Sequence, residues 1–311
     1  MASVLSQPHF HDEAAAYARL EAIVWPEGPH CPRCGGLDRI TTVKGGRMGL
    51  RRCGHCKREF TVKVGTVFES SHVPLHLWFQ AAHLMSASKK GISAHELHRI
   101  LGVTYKTAWF MGHRLREAMR LLLEDQGALG GNGKAVEVDE TYVGGKESNK
   151  HVGARKNRGA QGKAAVFSMV QRGAEVRSLH LTEVTAKTLR PIMLAHIDDK
   201  SALYTDDAGM YRKMSDDFSH EVVNHSAEEY VRGDVHTNTI EGYFSILKRG
   251  INGTYHHVSQ QHLGRYLAEF DFRYNNRSAM GIEDQARSER AMRGIVGKRL
   301  TYRDSPAPSV L

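Results

Sequence analysis

The stretch "KAVEVDETYVGGK", residues 134–146, decides the fold of the larger part of this chain. Val136 and Val138 alternate with a polar set formed by Glu137, Asp139 and Thr141. Because successive side chains of a strand point to opposite faces, this pattern predicts a β-strand with the three polar residues on one side. The sequence therefore predicts a strand that brings carboxylates to one face of a sheet.

Four further segments complete an α/β pattern. They are the strands 164–173 and 174–184, the helix 185–198 and the strand 201–211. We expect the first two to be antiparallel neighbours, and the helix to begin at a Thr185 cap, with Pro191 kinking it or shifting its start. The last strand ends in Asp206 and Asp207. This order predicts an α/β ribonuclease-H-like domain of the integrase type, with acidic groups on its first and fourth strands.

The cysteines predict a metal site near the N-terminus. All four fall in one short region, as the pairs Cys31/Cys34 and Cys53/Cys56. Two such pairs close a tetrahedral Zn²⁺ site, whereas four ordinary buried cysteines would explain neither the pairing nor the spacing. The β-branched segments between and after the pairs indicate short strands, so we predict a structural zinc ribbon. Basic residues within it, Arg51 and Arg52 among them, favour DNA as its partner over RNA or protein.

A helical region follows the ribbon. The stretch "GISAHELHRILGVTYKTAWFMGHRLREAM", residues 91–119, predicts a short helix, a turn at Gly102 and a second helix opened by Thr104. This is helix-turn-helix spacing, with three side chains where a recognition helix meets base edges: Tyr105, Lys106 and Thr107. The alternative is a plain helical hairpin that does not contact DNA.

The charge balance favours a polyanionic partner. The 311 residues include 43 Lys and Arg against 34 Asp and Glu, for a net charge of +9 and a pI near 9.4. Nucleic acid is favoured over a membrane surface. The sequence shows neither a signal peptide nor a run of apolar residues long enough to span a bilayer, so we expect a soluble cytoplasmic protein.

A basic loop lies between the first two strands of the α/β region. It includes Arg155, Lys156 and Arg158 among glycines and polar residues. One interpretation is a solvated, disordered loop in the free protein. The other is a DNA-binding segment that a phosphate backbone orders.

Residues 236–250, "HTNTIEGYFSILKRG", predict a helix with two possible roles for its first turn. With Asn238 as the N-cap, Glu241 falls at the third helical position and the pair forms a capping box. At about 100° per residue, Glu241 and Lys248 share one face beside an apolar stripe. That stripe consists of Ile240, Phe244, Leu247 and Ile251.

Three segments together resemble a known family. They are "VDETYVGGK", "YTDDAGMY" and the stretch from "HTNTIEGYFSILKRG" to "EFDFRYNNR". With them the chain resembles the DDE transposases of bacterial insertion sequences, in the group that carries an N-terminal zinc ribbon and is related to the eukaryotic Merlin transposons. The resemblance spans roughly residues 25–277.

The resemblance implies a set of catalytic roles. Asp139, Asp206 and Glu241 would be the three acids and Lys248 the lysine seven residues beyond the third. Because some members of the group have Asn as the third residue, Asn238 is a second candidate for that ligand. The acids would hold Mg²⁺ or Mn²⁺ for DNA strand cleavage and strand transfer, with Lys248 and Arg249 on DNA. Paired-end chemistry implies at least a homodimer on double-stranded DNA, acting at the bacterial nucleoid.

The expected organisation is multidomain. It comprises a helical segment 1–24, the zinc ribbon 25–72, the helix-turn-helix-like region 73–123, a linker 124–133, the catalytic domain 134–295 and a frayed tail 296–311. Two other functions compete with a transposase that binds the terminal inverted repeats of its own element. One is a nuclease or resolvase of the same fold, and the other is a non-enzymatic zinc-ribbon regulator.

Overall fold

The computed structural model describes residues 3–121, 126–145, 162–224, 227, 229 and 231–301. The chain forms two compact units, one of Met1–Leu121 with Arg277–Leu311 and one of Leu122–Asn276. Within the described ranges, no helix is both long and apolar enough to cross a membrane.

The first unit begins with a helix and a small antiparallel sheet. Their bounds are α1 Glu13–Val24, β1 Ile40–Thr42, β2 Arg51–Cys53 and β3 Glu59–Phe60, with β2 in the centre. Trp25 packs edge-on against the fully buried Phe60, with ring centroids 5.9 Å apart. The strands predicted between and after the cysteine pairs are therefore present, in a sheet with few apolar side chains to bury.

Three helices follow in the same unit: α2 Leu75–Ala87, α3 Ala94–Leu101 and α4 Tyr105–Met119. A reciprocal capping box of Ser93 and Glu96 starts α3. Gly102, in the left-handed conformation at φ 65°, ends it, and glycine adopts that conformation without steric cost. Thr104 starts α4 by accepting a hydrogen bond from the Thr107 amide at 3.2 Å. The predicted helices and turn are present, and their contact with DNA stays a prediction.

The second unit is built on a five-stranded mixed sheet. Its elements are β4 Ala135–Val143, β5 Ala164–Gln171, β6 Val176–Leu181, α5 Ala186–His196, β7 Ala202–Asp206 and β8 Ser219–Val223. The strand order is β6-β5-β4-β7-β8, with β4, β5 and β6 antiparallel and β7 and β8 parallel to β4. The predicted antiparallel neighbours are confirmed. The edge strand β8 was not predicted, because its five residues show little apolar alternation.

Pro191 does not shift the start of α5. The helix begins at Ala186, and the Thr185 hydroxyl accepts a hydrogen bond from the Thr188 amide at 3.2 Å. Pro191 lies on the exposed side of the helix, where water can solvate the carbonyl that its missing N–H leaves unpaired. The predicted Thr185 cap is present, and of the two effects expected of Pro191, a kink or a shifted start, the shifted start does not occur.

Both faces of the sheet are covered. A short hairpin, β9 Val231–Arg232 and β10 Val235–His236, precedes the helices α6 Asn238–Gly250 and α7 Gln260–Asn275. On one face α5 packs over Val136 and Val138. On the other, α6 and α7 pack over Val143 and Val166, and the predicted stripe of Ile240, Phe244, Leu247 and Ile251 is buried there. Burial of each such side chain contributes about 1.5–3 kcal/mol to the free energy of unfolding.

The C-terminal residues belong to the first unit. The helix α8, Asp284–Arg293, packs on α2, and the buried Arg287 donates to the Ser86 carbonyl at 3.1 Å. Val296 bridges Thr66. The expected catalytic domain 134–295 therefore ends later than the second compact unit. The expectation of a frayed tail from residue 296 does not hold for its first residues, because Val296 and Gly297 pair with Thr66 and Gly65, and the Leu300 carbonyl accepts a hydrogen bond from Arg114 Nε at 3.2 Å.

Candidate functional site

The four cysteines converge at one point of the ribbon. The Sγ atoms of Cys31 and Cys56 lie 3.7 Å apart, and those of Cys34 and Cys53 lie 3.6 Å apart. Tetrahedral Zn–S bonds of about 2.3 Å place sulfurs roughly 3.8 Å apart, so the donors fit a structural Zn²⁺. Gly54 permits the turn, because a Cβ there would lie 2.6 Å from the Cβ of Arg39.

Asp139 and Asp206 lie side by side on neighbouring strands. The parallel register of β4 and β7 pairs Glu137 with Tyr204, and the two aspartates each follow two residues later. Adjacent strands are about 4.8 Å apart, and residues two apart share a face. The fold therefore brings Asp139, in the middle of β4, beside Asp206, the last residue of β7, on the face that α6 covers.

The acids interact electrostatically. The pKa of Asp139 is raised to about 7. Burial is the largest cause, and repulsion by Glu140, Asp206 and Glu241 also raises it. A hydrogen bond of 2.7 Å from the Glu140 amide to Oδ1 opposes it. The three acids of the resemblance thus lie within electrostatic reach of one another, although they come from β4, β7 and α6.

Neighbouring acids point away from this cluster. Glu140 lies on the opposite face of β4, where the Tyr211 hydroxyl donates to its Oε2 at 2.8 Å. Burial raises the pKa of Glu140, and Asp206 raises it further. Asp207 is exposed just beyond the end of β7. Strand alternation predicts this separation.

The start of α6 differs from the sequence prediction. Thr237 is the N-cap residue and Asn238 is already the first helical residue, so the predicted capping box of Asn238 and Glu241 is wrong. The side chain of Thr237 makes no capping hydrogen bond, and its hydroxyl donates to Glu241 Oε1 at 3.1 Å. With Thr237 as the N-cap, Glu241 is the fourth helical residue, one position beyond that of a capping box, and it is exposed.

The remaining predicted residues of α6 lie at its surface. Asn238, Lys248 and Arg249 are all exposed. Lys248 lies about two turns beyond Glu241 on the same side of the helix. The Arg249 Nε donates to the Ser245 carbonyl at 3.1 Å, one turn back along the helix.

Two residues beside the cluster, one fully and one partly buried, were missed as functional residues. Glu137, fully buried, receives hydrogen bonds from the Thr239 and Ile240 amides at 2.8 and 2.9 Å. Arg172 donates its Nε to Glu137 Oε1 at 2.6 Å. A glutamate in the middle of a valine-rich strand is the signal for such partners, because a buried carboxylate must be paired and hydrogen-bonded. The sequence does not indicate which residues supply the partners.

The predicted DNA-binding residues of the first unit have different surroundings. Arg51 forms a two-point ion pair with Glu21, at 2.6 and 3.2 Å, whereas Arg52 is exposed. Lys106 is exposed, and the ring of the exposed Tyr105 lies 4.4 Å from that of His95. The third predicted contact residue is Thr107. Its hydroxyl oxygen lies within hydrogen-bond distance, 2.8 Å, of the hydroxyl oxygen of Thr104, the N-cap residue of α4. Arg155, Lys156 and Arg158 lie outside the described residues.

Comparisons with known proteins match both units. Residues 128–275 match the ISXO2-like transposase domain family, and residues 11–59 match the transposase zinc-ribbon domain family. An uncharacterised protein in the transposable element ISH50 of Halobacterium salinarum is 31% identical over 278 residues, which cover 85% of this chain and 91% of that protein.

A solved structure, the Mos1 strand transfer complex, shares 13% identity over 64% of this chain and 76% of its own, with a TM-score of 0.22. A TM-score this low does not relate the two folds.

Loss of one cysteine will unfold the ribbon. Cys53→Ser removes one ligand of the zinc ion, whose binding contributes on the order of 10 kcal/mol to the folding free energy of small zinc domains. The bound zinc and the protection of the β1–β3 amides from hydrogen exchange should therefore both fall to background. Elemental analysis and hydrogen exchange measure these quantities. His55→Ala, adjacent to a ligand and exposed, is the matched control. Full zinc content in Cys53→Ser would contradict the assignment.

The carboxyl group of Asp139 will titrate near pH 7. Its folded pKa exceeds the unfolded value of 3.8, so ionisation destabilises the fold progressively as pH rises from about 4 to about 7. Glu241→Gln removes one repelling charge and should lower the pKa of Asp139, measured by carbon NMR of labelled aspartate. An unchanged Asp139 titration in Glu241→Gln would show that the two groups do not interact.

Proposed function

Because this chain belongs to the IS1595 family of DDE transposases, with a transposase zinc ribbon and an ISXO2-like transposase domain, we propose that it excises and inserts its own insertion sequence. In this proposal it binds the terminal inverted repeats and performs strand cleavage and strand transfer at the acid cluster. The observation that carries the proposal is the convergence of Asp139, Asp206 and Glu241, reflected in the raised pKa of Asp139. Like charges this close to a partly buried carboxyl group are costly unless a cation or proton neutralises them.

The donor set suits a hard divalent cation. Mg²⁺ and Mn²⁺ favour carboxylate oxygens and retain several waters, so Asp139, Asp206 and Glu241 would hold such ions together with the DNA phosphate. When bound, the ions supply charge neutralisation at phosphorus and activation of the attacking oxygen. Among the described residues only the cysteines bring three or more ligand atoms within 4.8 Å of one another. The three carboxylates do not all lie within that distance of one another in this structure, so they would have to draw closer to hold the ions.

Glu241 is the proposed third ligand, in preference to Asn238. Its charge raises the pKa of Asp139, and the Thr237 hydroxyl holds its Oε1. Asn238 occupies the first helical position and is exposed, as Glu241 is, so exposure does not distinguish the two. An ionised carboxylate also neutralises more of the cation charge than an amide oxygen does.

The chain's own groups then have distinct parts in the reaction. In the first displacement water attacks the phosphorus at the end of the element and the P–O3′ bond breaks; the water oxygen stays on the 5′-phosphate, and the departing 3′-oxygen takes up a proton to become a hydroxyl. In the second, that 3′-hydroxyl attacks a target phosphodiester, the P–O3′ bond of the target strand breaks as the new P–O bond forms, and the proton lost by the attacking hydroxyl is balanced by the proton taken up by the departing target 3′-oxygen. Lys248, on the same side of α6 as Glu241, would bind a phosphate near the scissile bond as a compact positive charge.

Recognition of the element ends is assigned to the first unit. Tyr105 and Lys106 are exposed at the start of α4, where a recognition helix contacts base edges, and Arg52 is exposed on the ribbon. The net charge of +9 adds attraction to the phosphate backbone. Joining two ends requires two active sites, so we propose a homodimer on DNA. The zinc ribbon and the helix-turn-helix-like region favour a transposase over a nuclease or resolvase of the same fold, which would not need them to recognise terminal repeats.

Substitution of the acids will abolish the reaction without unfolding the chain. Asp139→Asn, Asp206→Asn and Glu241→Gln should each lower strand cleavage by about 10³ or more, since each removes several kcal/mol of transition-state stabilisation. A donor-plasmid excision assay and cleavage of end DNA with Mn²⁺ measure the effect. Asp207→Asn, next to a ligand but exposed, should keep nearly full activity.

Three outcomes would contradict this proposal. Cleavage that persists in Asp139→Asn excludes the proposed active site. An inactive Asn238→Ala beside an active Glu241→Gln would transfer the third position to Asn238. Cleavage of end DNA without any joining would favour a nuclease of the same fold.

Lys106 will contribute to DNA affinity. Lys106→Ala should weaken binding to duplexes from the ends flanking the gene and reduce the slope of log affinity against log salt by about 1, as for a lost phosphate contact. Lys200→Ala is the control, because it removes an equal charge from an exposed site before the amino end of β7. Equal losses in the two variants would contradict a specific role of α4.

A further inference from the structure

The first turn of α6 is capped from another element. A helix begins with amide groups that have no partner within the helix, and an N-cap side chain normally accepts from one of them. Here the Thr239 and Ile240 amides donate to Glu137 Oε2, at 2.8 and 2.9 Å. The Thr239 hydroxyl donates to Oε1 at 2.8 Å. A single carboxylate from the centre of the sheet therefore holds the start of the helix.

Arg172 neutralises this buried carboxylate. Its Nε donates to Glu137 Oε1 at 2.6 Å, and its remaining N–H groups donate to the carbonyls of Asp234 and His236 at 2.7 and 2.9 Å. The guanidinium also lies 4.7 Å over the ring of Tyr204. Arg172 thus joins the sheet, Glu137 and the strand that leads into α6.

Hydrogen bonds from neighbouring donors occupy the carboxylate oxygens of Glu137, so this residue is not available as a metal ligand. Each carboxylate oxygen already accepts two hydrogen bonds, which uses the capacity of an ionised carboxyl group. The side chain has no exposed surface. Although Glu137 shares a strand face with Asp139, it acts on the acid cluster only through the elements that it joins.

Thr237 shows what this arrangement achieves. As the N-cap residue it is placed to cap α6 itself, yet its side chain makes no capping hydrogen bond. Its hydroxyl donates to Glu241 Oε1 instead. Because Glu137 caps the helix, Thr237 is available to orient Glu241.

We propose that Glu137 is a positioning residue, with Arg172 as its counter-ion, that fixes Glu241 relative to Asp139 and so sets the affinity of the acid cluster for divalent cations. The proposal rests on the proposed function in taking Asp139 and Glu241 as metal ligands. Glu137 precedes Asp139 by two residues on β4, and Glu241 follows Thr239 by two residues on α6. The strand that carries Asp139 and the helix that carries Glu241 are therefore joined by the buried carboxylate of Glu137.

The test measures Mn²⁺ binding to the full-length, zinc-loaded chain by electron paramagnetic resonance of free Mn²⁺. Glu137→Gln should raise the dissociation constant about tenfold, the lower end of the range for residues that orient metal ligands. Thr239→Val removes one donor and should raise it about threefold, whereas Thr239→Ser keeps the hydroxyl and should match the wild type. If Glu137→Gln does not fold, the Thr239 pair carries the test.

Two controls separate positioning from general damage. Met193→Ala removes a fully buried side chain on the other face of the sheet, and it should leave Mn²⁺ affinity unchanged despite lost stability. In a Glu241→Gln background, Glu137→Gln and Thr239→Val should have no further effect, because the group that they position is absent.

A Thr239→Val effect no larger than that of Met193→Ala, or one that persists with Glu241→Gln, would overturn the proposal. Failure of the proposed function gives a different result, since Asp139→Asn would then bind Mn²⁺ as the wild type does.

Discussion

The hydrogen bonds from the first turn of α6 to the buried carboxylate of Glu137 are the constraint on which the candidate active site depends. A carboxylate without solvent contact is tolerated only when ion pairing and hydrogen bonds replace its hydration, and four donors do so here. Removal of one partner from such a buried pair typically costs about 3–5 kcal/mol. The same contact fixes where the helix begins, and therefore which residues of its first turns face the sheet.

The acid cluster shows the opposite use of charge. Among the described residues, no positively charged group contributes to the shifted pKa of Asp139. Burial and three neighbouring carboxylates raise that pKa to about 7. Glu137, whose charge Arg172 neutralises, and Asp139, whose charge neighbouring carboxylates repel, thus lie two residues apart on the same face of β4. Glu137 stabilises the fold. The repulsion at Asp139 is removed when a cation or a proton neutralises its charge. Sites that bind substrate or metal commonly concentrate such shifts in pKa.

Much of this could be predicted from sequence because it is local. The cysteine pairs predict their own geometry, and strand alternation separates Asp139 from Glu140. The position of Asp206 beside Asp139 is not local, and only the order of the strands and the family resemblance indicated it. The pairing of α8 with α2 could not be predicted in this way, because its contacts join residues far apart in the chain. The start of α6 was predicted one residue late for the same reason, since its cap is more than 100 residues away.

The most direct measurement is anomalous diffraction from crystals of the full chain with Mn²⁺ and a duplex of the element end. The account predicts manganese peaks bounded by Asp139, Asp206 and Glu241, with Glu137 still accepting from the Thr239 and Ile240 amides. Manganese bound to Asn238 with Glu241 turned away, or a Glu137 carboxylate that has left α6 to bind the ion, would contradict it.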